Sequence, residues 1–300
     1  MRILQCVPNF SEGRDPRFLE ELEHVLARYP VKTLDLSMDA DHNRADCTFL
    51  GAPEAVEECA AALCARAVEL IDMREHTGSH PRMGAVDVVP FVPIRDIEMS
   101  EAVEVARRFG RSFAELHGIP VFFYEEACTS EGRRNLADVR RGEYEGMAAK
   151  LAQPDWGVDA GPQVFNERSG VTAVGARMPL VAFNVNLATG DLAVAKEIAA
   201  AVRHSSGGLR YVKAMGVDVA EEGVVQVSMN LVDFRRTPIH RAVELVRREA
   251  ARYGVAVREC ELVGLVPLEA VGDTFAYYLQ IPGFADTKVI ERHLLPEEDL

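Results

Sequence analysis

Apolar and polar positions follow two rhythms along this chain, one of strands and one of amphipathic helices. Ile3 to Val7 reads as a strand closed by the turn-forming Pro8-Asn9-Phe10-Ser11-Glu12-Gly13, and Pro16 to Ala27 repeats its apolar residues at helical spacing. Val31 to Leu36 and Ala45 to Leu50 read as strands, with the polar loop Asp39-Ala-Asp-His-Asn-Arg44 between them. Pro53 suits a first helical residue, so Glu54 to Ile71 is predicted as a long, Ala-rich helix. Ala85 to Ile94 reads as a fourth strand, Ser100 as the cap of a helix reaching about His117, and Pro120 to Tyr124 as a fifth strand. The order is β-α-β-β-α-β with an appended α-β.

From Thr129 to Pro162 the chain turns polar and reads as a short helix with connecting loops. Gly161 to Gly170 is too rich in glycine and polar residues for the interior of an element. A domain boundary is expected near Pro179, and beyond it the pattern recurs. Leu180 to Leu187 is a strand, Asp191 to His204 a helix, Leu209 to Val217 and Val224 to Leu231 strands, Pro238 to Tyr253 a helix and Val255 to Val266 a strand. Two split β-α-β units predict an α+β fold of two ferredoxin-like domains, residues 1–179 and 180–300. Each is expected to be a sheet with helices on one face, the open faces packing to form a ligand groove.

The chemistry concentrates in Arg74-Glu-His-Thr-Gly-Ser-His-Pro-Arg-Met-Gly-Ala-Val-Asp87. Gly78 between His76 and His80, with Pro81 directly after, rules out the helical spacing that sets two metal ligands on one face. What remains is imidazole, which exchanges a proton near neutral pH, beside permanent positive charge and just ahead of a buried strand. In the Asp39 to Arg44 loop three roles stay open: a solvated turn, a metal loop lacking the glycine and glutamate of a calcium site, or a substrate site. In the substrate reading Asp39 or Asp41 orients an imidazole and Arg44 clamps a carboxylate. Gly207 to Gly216 carries Arg210 and Lys213 around Tyr211, either as guards of an edge strand or as a positive rim for a long anionic ligand. No serine sits in G-x-S-x-G, which leaves a serine hydrolase without support.

A net charge of −14 argues against nucleic-acid or anionic-membrane binding, so any anionic ligand must meet a local reversal of charge. Cysteines 6, 47, 59, 64, 128 and 260 form no C-x-x-C pair and read as free thiols of a reducing cytoplasm. No apolar run approaches the roughly 20 residues that span a bilayer.

Taken together, Cys6-Val-Pro-Asn-Phe-Ser-Glu-Gly13, Asp41-His-Asn-Arg44, His76-Thr-Gly-Ser-His-Pro-Arg-Met-Gly-Ala-Val-Asp87, Arg140-Arg-Gly-Glu-Tyr144, Gly161-Pro162 and Leu262-Val-Gly-Leu-Val-Pro267 resemble the glutamate formimidoyltransferase family. The resemblance runs over essentially the whole chain. It implies transfer of a formimino group from N-formimino-L-glutamate to N5 of tetrahydrofolate, giving 5-formiminotetrahydrofolate and L-glutamate, a step of histidine degradation. It implies a cytoplasmic homodimer with tetrahydrofolate as co-substrate, no metal and no tightly bound cofactor. The family's catalytic histidine matches His80, with Asp39 or Asp41 as the carboxylate that sets its tautomer. Arg44, His76 and Arg82 are expected to contact substrate. The folate-lining segments match Gly161, Pro162, Gln163, Val164, Phe165, Asn166, Glu167, Arg168, Ser169 and Gly170, and also Gly207, Gly208, Leu209, Arg210, Tyr211, Val212, Lys213, Ala214, Met215 and Gly216. Vertebrate members carry a further cyclodeaminase domain, whose reaction is not expected of this chain. Two other readings stay open: a relative that acts on 5-formyltetrahydrofolate, and a catalytically silent folate-binding module.

Overall fold

The computed structural model describes residues 2–219 and 223–293. It divides into two compact units, Met1–Arg177 and Met178–Leu300. In the first unit β1 (Ile3–Cys6) and β2 (Asn9–Phe10) form one interrupted strand, followed by α1 (Pro16–Leu26), β3 (Lys32–Asp39), β4 (Arg44–Gly51), α2 (Pro53–Leu70) and β5 (Val86–Arg95). The β1/β2 strand lies between β4 and β5, antiparallel to both, with β3 on the far side of β4. That is the split β-α-β plan. The turn expected at Pro8 is therefore only an interruption. Pro8 still offers its carbonyl to the Cys47 N–H at 3.1 Å, and pairing resumes at Asn9.

Two more strands extend this sheet. After α3 (Met99–His117) comes β6 (Val121–Glu125), and after α4 (Leu136–Arg140) and α5 (Glu143–Leu151) comes β7 (Thr172–Ala176), inserted parallel between β5 and β6. Val171 to Ala176 is fully buried but short, and Gly175 interrupts its apolar run, so the sequence reading passes over it. Gly175 is small for a reason: a Cβ there would lie 2.6 Å from the Tyr124 ring. The helices α1, α2 and α3 share one core with β1, β4 and β5. A separate cluster of Met83, Val88, Phe122, Val139, Met147 and Leu151 packs β5 and β6 against α4 and α5. Part of the second sheet face is thus covered, where helices on a single face were expected.

The second unit repeats the plan with β8 (Val181–Leu187), α6 (Leu192–Val202), β9 (Val212–Val219), β10 (Val224–Leu231), α7 (Ile239–Arg252) and β11 (Val257–Val263) in the order β11-β8-β10-β9. An eighth helix, α8 (Leu268–Leu279), follows and was not foreseen. It begins after Pro267, and only Ala270 among its residues is buried.

Candidate active site

The candidate site grows from the tip of the β3–β4 hairpin, where Asp39 pairs with Arg44. Asn43 closes this turn at φ +49°, a left-handed conformation that asparagine tolerates better than most residues. Its side chain joins three segments: Oδ1 accepts from the Gly13 N–H at 2.9 Å, and Nδ2 donates to the Thr77 carbonyl at 2.9 Å. The segments meet backbone to backbone. A Cβ on Gly13 would lie 2.1 Å from the Asp39 carbonyl oxygen, and one on Gly78 would lie 2.4 Å from that of His42. The Ser79 hydroxyl and N–H both donate to the Asp41 carbonyl, at 3.2 and 3.4 Å. The glycines near His76 and His80 are thus what allow the histidine loop to dock on the Asp39 to Arg44 loop.

His80 is partly buried, and its Nδ1 donates to the Pro81 carbonyl at 2.8 Å, which leaves Nε2 as the acceptor nitrogen of the neutral ring. Burial, then the nearby Arg44 and Arg140 guanidinium groups, bring its pKa down to about 4. The ring is neutral at pH 7. Asp39 does not set its tautomer, contrary to expectation. Its Oδ2 meets His42 Nδ1 at 3.0 Å, while its Oδ1 accepts from the Asp41 and His42 N–H groups at 2.9 and 2.8 Å. The imidazole that Asp39 orients is His42, and a backbone carbonyl does that work for His80.

The arginines are also committed. Arg44 is 7% exposed; it donates to Asp87 Oδ2 at 2.8 Å and to Asn9 Oδ1. Fully buried Asp87 also receives Arg140 at 2.5 Å and the Met83 N–H at 3.0 Å. Burial opposes ionisation of Asp87, but Arg140 and Arg44 outweigh it and hold the carboxyl below its ordinary range. Arg44 therefore cannot clamp a carboxylate of the substrate without abandoning a buried one. Arg82 grips Glu145 at 2.5 and 2.9 Å and Glu143 at 3.1 Å, and its Nε donates to His76 Nδ1 at 3.3 Å. His76 Nε2 donates in turn to the Asn43 carbonyl at 3.0 Å. Arg82 thus ties the histidine loop to α5 and His76 ties it to the Asp39 to Arg44 loop, where direct substrate contact was expected. They line an open cleft of about 460 Å³ with Glu143 and Glu145.

Asp87 and Arg140 balance charge with Arg44, and Asn9 accepts from Arg44; the sequence reading assigned none of Asp87, Arg140 and Asn9 a role of its own. One signal was available: an aspartate near the start of the otherwise apolar run Ala85 to Ile94 must be paired if that strand is buried.

The Gly161 to Gly170 segment starts against the end of α3 and finishes beside the histidine loop. A Cβ on Gly161 (φ +86°) would stand 2.7 Å from the Ile119 carbonyl oxygen, and one on Gly170 (φ +70°) 2.1 Å from that of Met83. Gln163 is tied to Leu151 and Val158, Phe165 packs on Tyr144, and Asn166 Oδ1 caps the Ser169 N–H. The Arg168 guanidinium donates to the Glu69 carbonyl at 2.8 Å. Pro162, Val164 and Glu167 are exposed. In the second unit Gly207 (φ +97°) and Gly208 turn the chain into β9. Leu209 and Val212 face inward, Arg210 lies over the Tyr211 ring and Lys213 and Met215 are exposed. Ala214 lies on the same sheet face as Gly216, whose Cα approaches α6 so closely that a Cβ would stand 2.5 Å from the Lys196 nitrogen.

These features define an α+β protein of two split β-α-β units, the first carrying a cluster of three loop histidines, His42, His76 and His80, backed by a buried carboxylate and two arginines. Residues 3–177 match the model of the formiminotransferase domain, N-terminal subdomain, and residues 182–292 that of the formiminotransferase domain. The chain belongs to the formiminotransferase family. It is 46% identical to a glutamate formimidoyltransferase of Streptococcus pyogenes serotype M1, with 98% of this chain and 99% of that one covered. A glutamate formimidoyltransferase of Thermoplasma acidophilum is 43% identical, covering 98% of both chains. The formimidoyltransferase-cyclodeaminase of Gallus gallus is 42% identical over 93% of this chain, which spans 53% of that longer protein.

Proposed function

We propose that this chain transfers the formimino group of N-formimino-L-glutamate to N5 of tetrahydrofolate, releasing L-glutamate. The similarity to two glutamate formimidoyltransferases over nearly the full length of each supports this reading most strongly. N5 attacks the formimino carbon to give a tetrahedral species. One proton must leave N5 and another must reach the glutamate nitrogen before the C–N bond to glutamate breaks. His80, neutral at pH 7 with Nε2 as acceptor, is suited to take the N5 proton. Tetrahydrofolate is a co-substrate here, and the reaction needs no metal or tightly bound cofactor. We further assign the chain to the cytoplasm as a homodimer.

The purified protein is tested with tetrahydrofolate and either N-formimino-L-glutamate or 5-formyltetrahydrofolate, following folate absorbance and released glutamate. Glutamate appearing in step with 5-formiminotetrahydrofolate is the expected result. Turnover of 5-formyltetrahydrofolate alone would move the chain to a different one-carbon donor, and folate binding without turnover would leave a binding module.

The Gly161 to Gly170 and Gly207 to Gly216 segments are assigned to folate. If Arg210 and Lys213 meet its anionic tail, replacing both by Ala should raise the folate KM and weaken its salt dependence, with the formiminoglutamate KM nearly unchanged. Equal effects on both substrates would remove that assignment.

A further inference from the structure

A second imidazole stands beside His80 and has no part in the proton transfer described so far. The His42 and His80 rings lie 6.0 Å apart, centroid to centroid, at 89° to each other. In each ring Nδ1 is occupied, by Asp39 in His42 and by the Pro81 carbonyl in His80. Nε2 is therefore the ring atom each has available for chemistry.

We propose that His42, oriented by Asp39, is the second acid–base group of this site and protonates the departing glutamate nitrogen while His80 removes the proton from N5. This assignment rests on the formimino-transfer reading. The surroundings divide the labour. His80 faces Arg44 and Arg140, which disfavour its cation and together outweigh the favourable effect of Asp87. His42 is held at Nδ1 by the Asp39 carboxylate at 3.0 Å, which turns its Nε2 to the chemistry. His80 in its neutral form can accept a proton at Nε2 but has none there to give, so a second imidazole 6.0 Å away completes the pair as the donor.

The balance closes without any further reactant. The N5 lone pair forms the bond to the formimino carbon as the C=N π pair moves onto the formimino nitrogen, and His80 Nε2 takes the N5 proton. Protonated His42 gives its Nε2 proton to the glutamate nitrogen as the pair on the formimino nitrogen re-forms the C=N bond and the bond from carbon to the glutamate nitrogen breaks, its electron pair leaving on that nitrogen. The proton now on His80 then returns to His42, restoring both rings.

Asp39 has a double task, because its Oδ1 also holds the Asp41 and His42 N–H groups. Asp39→Asn keeps an oxygen for those backbone donors and removes the charge, so it separates the effect on His42 from the shape of the turn. The test compares the wild type with His42→Gln, His42→Gly and Asp39→Asn in the full chain, by kcat, KM for each substrate and the pH profile of kcat. Loss of a general acid should lower kcat in His42→Gln by about 10²–10⁴-fold with little change in folate KM. Added imidazole should restore part of the turnover of His42→Gly. Asp39→Asn should lose less in kcat than His42→Gln, with the KM of both substrates nearly unchanged, because it weakens the hold on His42 and leaves the ring in place. His42→Gln turning over at the wild-type rate overturns the proposal, as does a His42→Gly defect that imidazole leaves unchanged. A wild type that transfers no formimino group fails instead at the underlying reading of function.

Discussion

His80→Ala is expected to remove most turnover, about 10²–10⁴-fold in kcat, while leaving folate affinity within a few-fold. The imidazole acts on protons at the transition state and is not needed to hold the ligand, so the loss belongs in kcat and not in the folate Kd. Steady-state kinetics with equilibrium folate binding on the same preparations separate the two. Near-wild-type turnover in a correctly folded variant would falsify the assignment. The same ring predicts a pH effect on stability. Its folded pKa of about 4 lies below the ordinary value of 6.5, so between these limits the unfolded chain holds more protons. The His80 contribution to stability is therefore intact above pH 6.5 and is lost as pH falls from there toward 4. Unfolding titrations of His80→Ala should show a shallower loss across that window. His76→Ala should be milder on turnover, because its two ring nitrogens bond Arg82 and the Asn43 carbonyl and so hold the two loops together.

Both split β-α-β repeats were legible because each strand and helix has its own apolar period, and those elements appear in the folded chain within a few residues of their expected bounds. β7 was not, since five residues ending in Gly-Ala have little period to read and their burial comes from neighbours distant in sequence. The two site loops announced themselves through histidines and arginines, beside glycines in the one and between aspartates and an asparagine in the other. Their internal pairings did not. Whether Asp39 serves His42 or His80, and whether Arg44 meets a substrate or Asp87, depends on how three loops dock through Asn43. Spacing along one loop carries no information about that docking. Arg44 also illustrates a general asymmetry, in that an arginine beside histidines reads the same in sequence whether it binds ligand or neutralises a buried acid.

Asp87→Ala should be the most destabilising of the site substitutions, by about 3–5 kcal/mol, as expected when one partner of a buried ion pair is removed. Asp87 is fully buried and accepts from Arg44, Arg140 and the Met83 N–H. Alanine would leave Arg44, itself 7% exposed, with Asn9 and a more distant Asp46 at 3.6 Å, and would deprive Arg140 of its acceptor. Two positive charges would then face each other where water cannot screen them. Arg44→Met should cost less, because Asp87 would keep Arg140 and the methionine chain would fill much of the vacated space. Asp87→Asn isolates charge from shape: its amide oxygen can still take the Met83 N–H, so a large loss there would be electrostatic in origin. Urea unfolding of the three variants orders them as Asp87→Ala, Asp87→Asn and Arg44→Met, from the largest loss to the smallest. The Asp87→Ala loss should also reach function, because the same carboxylate anchors the end of the histidine loop through Met83, three residues beyond His80. An Asp87→Ala protein within about 1 kcal/mol of the wild type would show that this cluster does not hold the site together.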